Sequence, residues 1–260
     1  MKFQVKALLI LFFTLLILVV YAMLPKSETL ERQLVPIRLT SLKPSETPPS
    51  APVRKDIPVV EPPVQPQKER DTTAQRILFI GDSMLEGLAR RAADYALGNG
   101  HKIQSVVWYS SNSQQWAETD TLQHFIRKFQ PTFIMVCLCS NELFVRDLDN
   151  RDRYVRRIVQ KIGDIPFVWI SPPNWKDDTG INDIIIRHTG DGRYFDSRHY
   201  RDRMERRSDH AHPTQEAANW WMDSIAVWLN SMETAHPIRM ERPDTVARIK
   251  HMTVLQPLNN

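Results

Sequence analysis

Four short apolar runs, at residues 77–80, 103–109, 132–138 and 167–170, limit what this chain can become. None alternates polar with apolar residues, as a strand with one wet face does. Strands buried on both faces read as continuous apolar runs, the pattern of a parallel sheet covered by helices. Between the runs, residues 84–97, 119–129 and 152–162 read as helices. A last helix, 215–232, places Ala218, Trp221, Ile225, Trp228 and Leu229 near a 3.6-residue period. A shorter strand is expected at residues 193–196. This alternation predicts an α/β domain with a central parallel sheet between helical layers. Such sheets hold ligands at the carboxyl ends of their strands.

Ahead of that domain the composition changes twice. Residues 7–24 form an uncharged apolar run preceded by Lys2 and Lys6. Eighteen residues at 1.5 Å rise each reach the lower limit for a bilayer span. A cleaved signal peptide ending near Val20-Tyr21-Ala22 is the rival reading. Basic residues lie on both sides of the run, but a long domain behind such an anchor crosses the membrane largely regardless of charge. The expectation is a single-pass bacterial inner-membrane protein with its folded domain on the periplasmic side. Ten of the chain's 18 prolines then fall within residues 25–70, where no glycine occurs. Such a segment stays extended at ~3.1 Å per residue and spans up to roughly 140 Å. The expected organisation is an anchor (1–24), a Pro-rich disordered linker (25–75), the α/β domain (76–232) and a tail of little pattern (233–260).

The net charge of +4 is mild, and much of it sits in mixed runs such as Arg198 to Arg207, which read as solvated faces. No single-sign basic groove interleaved with aromatics is present, so nucleic acid is not an expected partner. The two cysteines, Cys137 and Cys139, occupy alternate positions of one apolar run. They are expected on one side of a buried strand as free thiols.

Three blocks carry chemistry. The first apolar run leads directly into Gly81-Asp82-Ser83-Met84. A serine on a strand-to-helix turn sits where free N–H groups at the helix start can hold an oxyanion. Asp82 is expected to cap that helix. The third run leads into Cys139-Ser140-Asn141-Glu142, where Asn141 offers a side-chain amide donor. Near the end, Ser208-Asp209-His210-Ala211-His212-Pro213-Thr214 places an acid and a base three residues apart. Serine is a weak nucleophile until a base takes its proton. His212 is the candidate base, and Asp209 the group that fixes its tautomer. His210 competes for the role. A metal pair of His210 and His212 lacks a third ligand at useful spacing. Trp108, Trp116 and Trp175 are candidates for the pocket border, where they would stack on a sugar ring.

Taken together, the three blocks resemble those of the SGNH (GDSL-type) hydrolases, over roughly residues 76–229. Ser83, Asn141, Asp209 and His212 match that family's serine, asparagine, aspartate and histidine. The resemblance implies a flavodoxin-like three-layer α/β/α sandwich and an acyl-serine mechanism without metal or organic cofactor. It implies a serine esterase acting on acyl esters, acetyl first, of a cell-envelope carbohydrate or another small ester. An acyltransferase would use the same site, and envelope proteins are candidate partners. A non-catalytic envelope-binding module on an eroded hydrolase is the alternative of a different class. The chain departs from the family where Cys139 replaces a glycine, Glu142 replaces an aspartate, and residues 109–113 lack the oxyanion glycine. Asn112 aligns best with that missing donor, because Asn tolerates left-handed backbone. The expected oxyanion hole is therefore Ser83, Asn112 and Asn141.

Overall fold

The computed structural model describes residues 69–244, 246–247 and 251–258. The apolar run 7–24 and the linker up to residue 68 lie outside the described residues. Among those described, no helix is long and apolar enough to cross a membrane.

Six strands form one parallel sheet: β1 (Arg76–Gly81), β2 (Lys102–Trp108), β3 (Phe133–Cys137), β4 (Phe167–Ile170), β5 (Tyr194–Phe195) and β6 (Met252–Leu255). Their order is β5-β4-β3-β1-β2-β6, with every pairing parallel. Six helices connect or cover them: α1 (Leu85–Gly98), α2 (Ser113–Glu118), α3 (Thr121–Phe129), α4 (Leu148–Ile162), α5 (Ile181–Thr189) and α6 (Gln215–Leu229). Side chains of β1 alternate between two apolar cores. Ile77 and Phe79 pack with α1 and α6, whereas Leu78 and Ile80 pack with α2, α3, α4 and α5. Both faces of the sheet are thus dry, which is why its strands read as unbroken apolar runs. Beta1 lies between β2 and β3, so the chain reverses direction across the sheet at that strand. Doubly wound sheets open their ligand crevice at such a switch point.

Several expectations are corrected here. Helices α2 and α5 were not anticipated, being only six and nine residues long. Residues 70–75, read as the end of the linker, belong to the fold: Asp71 bridges Ile238, and Gln75 is buried. The tail, expected to be without pattern, supplies β6, which pairs with β2 from Ser105 opposite Met252 to Trp108 opposite Leu255. It also buries Ile238 and Met240. Beta6 is a short edge strand whose residues are half-buried or exposed, so it lacks the continuous apolar run that marks the inner strands.

The cysteines also part company. Both are buried and free, but Cys137 joins the α1/α6 core and Cys139 the opposite one. Beta3 ends at Cys137, and Cys139 takes a left-handed backbone (φ 82°), so the period-two rule no longer applies. Trp108 and Trp116 are buried and meet edge to face at 5.4 Å, which removes them from any pocket border.

One backbone approach sets the spacing of the central strands. A Cβ at position 81 would lie 2.0 Å from the carbonyl oxygen of Cys137, far inside any tolerable contact. Only glycine lets the end of β1 lie this close to the end of β3. Gly81→Ala should therefore lose about 3 kcal/mol or more of stability, read from the midpoint of urea unfolding. A midpoint equal to that of the unchanged protein would refute this.

Candidate active site

The first block is a strand-to-helix turn held by the carboxylate of Asp82. Its Oδ1 accepts the N–H of Met84 and its Oδ2 accepts the N–H of Ser140, each at 3.0 Å. Its own N–H donates to the Cys137 carbonyl oxygen at 3.1 Å. Asp82 does not cap α1, whose N-cap is Met84 with no side-chain cap bond; instead it joins the turn after β1 to the turn after β3. It is fully buried, and that burial pushes its carboxyl up to about 6.

The turn commits most of the donors expected to be free. Leu85 and Glu86 donate to the carbonyls of Asp82 and Ser83, and Met84 to the Asp82 carboxylate. The N–H of Ser83 makes no hydrogen bond among the described residues and remains open to a developing oxyanion. The Ser83 side chain is half-buried.

His212 and Asp209 reach Ser83 from a loop that closes on itself. Arg207 donates its N–H to the His212 carbonyl at 2.8 Å, and Thr214 to the Glu205 carbonyl at 2.9 Å. At the tip, Asp209 Oδ1 accepts the N–H groups of Ala211 and His212 at 2.9 Å. These two bonds, Ala211 first, hold its carboxyl down to about 2. Asp209 Oδ2 lies 2.9 Å from His212 Nδ1, and His212 Nε2 lies 2.8 Å from Ser83 Oγ. A carboxylate that stays ionised fixes the Nδ1–H tautomer, which leaves Nε2 as the acceptor for the serine proton. His210 sits at a left-handed corner (φ 58°), is exposed, and donates its N–H to Arg207, away from this chain of contacts. Thr214 caps α6 by accepting from Ala217 N–H, and Pro213 precedes the helix.

The remaining expected donors divide. Asn141 stands in a short 3₁₀ turn (Ser140–Glu142) and is exposed. Its Nδ2 donates to the Ser111 carbonyl at 2.9 Å, leaving the second amide hydrogen available. Asn112 is not placed as expected. Its φ is −136°, and the left-handed residue of its block is Ser110. Asn112 is the N-cap of α2: its N–H donates to Gln115 Oε1 at 2.9 Å, and its Oδ1 accepts from Gln115 N–H. A capping box thus occupies the donor on which the oxyanion role depended.

No family model matches the chain, and no curated protein matches it. Its fold is similar to those of solved structures that include two enzymes. One is a lipase/acylhydrolase from Enterococcus faecalis, 14% identical, with a TM-score of 0.44 over 58% of this chain and 93% of that one. The other is BT4096, a gut microbial diltiazem-metabolizing enzyme, 10% identical, with a TM-score of 0.41 over 62% of this chain and 47% of that one.

Two departures from the SGNH pattern that the sequence resembles gain a physical account. Glu142 is buried, and its carboxylate accepts the N–H and Oγ–H of Ser113, each at 2.7 Å, and Arg151 Nη1 at 3.0 Å. It ties the block after β2 to the block after β3, as Asp82 ties β1 to β3. Cys139 holds a left-handed backbone that glycine would adopt freely, a conformation costing a non-glycine residue roughly 1–2 kcal/mol. Sequence patterning missed both the Ser113–Glu142–Arg151 cluster and Arg206. The partners lie dozens of residues apart or in runs that read as solvated.

Glu142→Gln should cost about 3 kcal/mol, because it leaves the largely buried Arg151 without its counter-ion. Equal unfolding midpoints would contradict that. Asp82 makes a separate prediction. Its carboxyl is raised from 3.8 in the folded state, so its contribution is full below pH ~4 and is lost as pH rises through about 6. The loss is on the order of 3 kcal/mol. Asp82→Asn should abolish that decline between pH 4 and 6.5, even though its stability is lower throughout. An unchanged slope in the variant would dismiss the assignment.

Proposed function

We propose that this chain is a serine ester hydrolase working through an acyl-serine intermediate. The observation that carries it is the unbroken contact from Ser83 Oγ through His212 to Asp209, at 2.8 and 2.9 Å. Ser83 attacks the ester carbonyl carbon while His212 Nε2 takes the hydroxyl proton. The oxyanion is stabilised by the Ser83 N–H and the free amide hydrogen of Asn141. His212 then returns the proton to the leaving alcohol, and water, activated by the same imidazole, releases the acid. Residues Ser83, Asn141, Asp209 and His212 match the SGNH hydrolases, and the parallel sheet with its β1 switch point agrees with that family's fold.

The substrate class we infer is an acyl ester, acetyl first, on a cell-envelope carbohydrate. An acceptor sugar in place of water would make the same site an O-acyltransferase. The apolar run behind Lys2 and Lys6 and the proline-rich spacer support an inner-membrane anchor with the domain on the periplasmic side.

A second reading, a non-catalytic envelope-binding module, is favoured by one observation. Asn112 N–H is occupied by Gln115, so the oxyanion hole has one donor fewer than expected. Loss of one such donor costs on the order of 10²–10³ in kcat.

Turnover of p-nitrophenyl acetate by the full chain in detergent separates the two. Ser83→Ala and His212→Ala should each lower kcat/KM by at least ~10⁴, and Asn141→Ala should lower kcat by roughly 10². Identical rates in the unchanged chain and in Ser83→Ala, with no fluorophosphonate labelling of Ser83, would leave the binding module as the function.

A further inference from the structure

We propose that Arg206 is a positioning residue that clamps the Asp209–His212 loop to the loop after β4 and so holds His212 over Ser83. This rests on the hydrolase reading above. Arg206 Nη1 donates to the Ala211 carbonyl, one residue before His212, at 2.6 Å. Its Nη2 donates to the Pro173 carbonyl, in the loop after β4, at 2.7 Å. The guanidinium carbon stands 5.9 Å from the centre of the Trp175 ring, and that ring meets Phe144 edge to face at 5.9 Å. Phe144 lies three residues beyond Asn141. One guanidinium therefore joins the base-bearing loop to the wall that continues toward the Asn141 turn.

The loop has few other ties. Bonds from Arg207 to His212 and from Thr214 to Glu205 close residues 205–214 on themselves. Thr214 is fixed to the start of α6, but among the described residues 206–213 make only two hydrogen bonds to the fold outside the loop: Arg206 to Pro173, and His212 to Ser83. Pro213 is buried and Ala211 packs on the core, so the base of the loop is seated. Its tip is not: the side chains of Asp209 and His212 are 47% and 32% exposed. Without Arg206, the bond between His212 and Ser83 would be the one hydrogen bond left from described residues 206–213 to the fold outside the loop.

The chemistry of the side chain suits the task. A planar fork presents two N–H groups in fixed directions to two carbonyl oxygens, which a lysine ammonium on a flexible stem cannot reproduce. Arg206 keeps its charge there although burial, together with Arg201, works against it. A displacement of about 1 Å in a catalytic base is enough to cost on the order of 10² in rate.

The test uses the full chain as wild type, Arg206→Lys and Arg206→Gln. Amide hydrogen exchange is followed over residues 206–214 and over β1, alongside fluorophosphonate labelling of Ser83 and ester turnover. Arg206→Gln should speed exchange in 206–214 by at least tenfold and leave β1 unchanged. It should slow labelling of Ser83 by roughly 10–100-fold, with the loss in kcat rather than KM, and Arg206→Lys should fall between. Exchange in 206–214 equal to wild type overturns the clamp, as does faster exchange spread equally over β1. Failure of the wild type to label or turn over would defeat the hydrolase reading instead, while the exchange data still decide the clamp.

Discussion

The rest of the site depends on how closely the carboxyl ends of β1 and β3 approach. Gly81 has no Cβ to collide with the Cys137 carbonyl, and the Asp82 carboxylate receives an N–H from each of the two turns that follow. Because both turns share one acceptor group, Ser83 and Asn141 are placed relative to each other by a single buried side chain. The arrangement carries a cost: the carboxylate is out of water, and its acidity is weakened accordingly. Such buried polar groups favour one geometry over its competitors when their partners are complete. Glu142 repeats the device between the turns after β2 and β3, with Ser113 and Arg151 as partners.

Two carboxylates near the serine thus have opposite environments and opposite uses. Burial raises Asp82, which organises backbone. Two N–H donors in open solvent lower Asp209, which stays ionised and orients an imidazole. The exposure of Asp209 has a further consequence. A buried acid is held by its surroundings, whereas an exposed one depends on the loop that bears it, so that loop's attachment matters to the position of His212. The Arg206 contacts with Ala211 and Pro173 supply such an attachment.

Much of this was legible before any coordinates. The apolar runs marked β1, β2, β3 and β4, because strands dry on both faces must be apolar throughout. Ser83, Asp209 and His212 were legible because each lies in a block where local spacing controls direction. Asn112 was not: its expected left-handed backbone fell instead on Ser110, and a Gln three residues later turned it into a helix cap. Neither outcome follows from composition at a single position. Beta6 was missed because an edge strand needs no continuous apolar run. Arg206 was missed because a cation in a mixed-charge run looks solvated until two separate loops present carbonyls to it.

The amino-acid sequence alone determined the class of sheet and the blocks that carry Ser83, Asp209 and His212, since these follow from periodicity and from spacing within a few residues. Tertiary structure alone decided which donors face the serine and which are already satisfied. It also decided where the two cysteines point, and what joins one loop to the next. Those outcomes rest on hydrogen bonds between distant segments, such as Asp82 to Ser140 across 58 residues and His212 to Ser83 across 129. Local pattern contains no term for such distances; only the packed sheet brings their partners within reach.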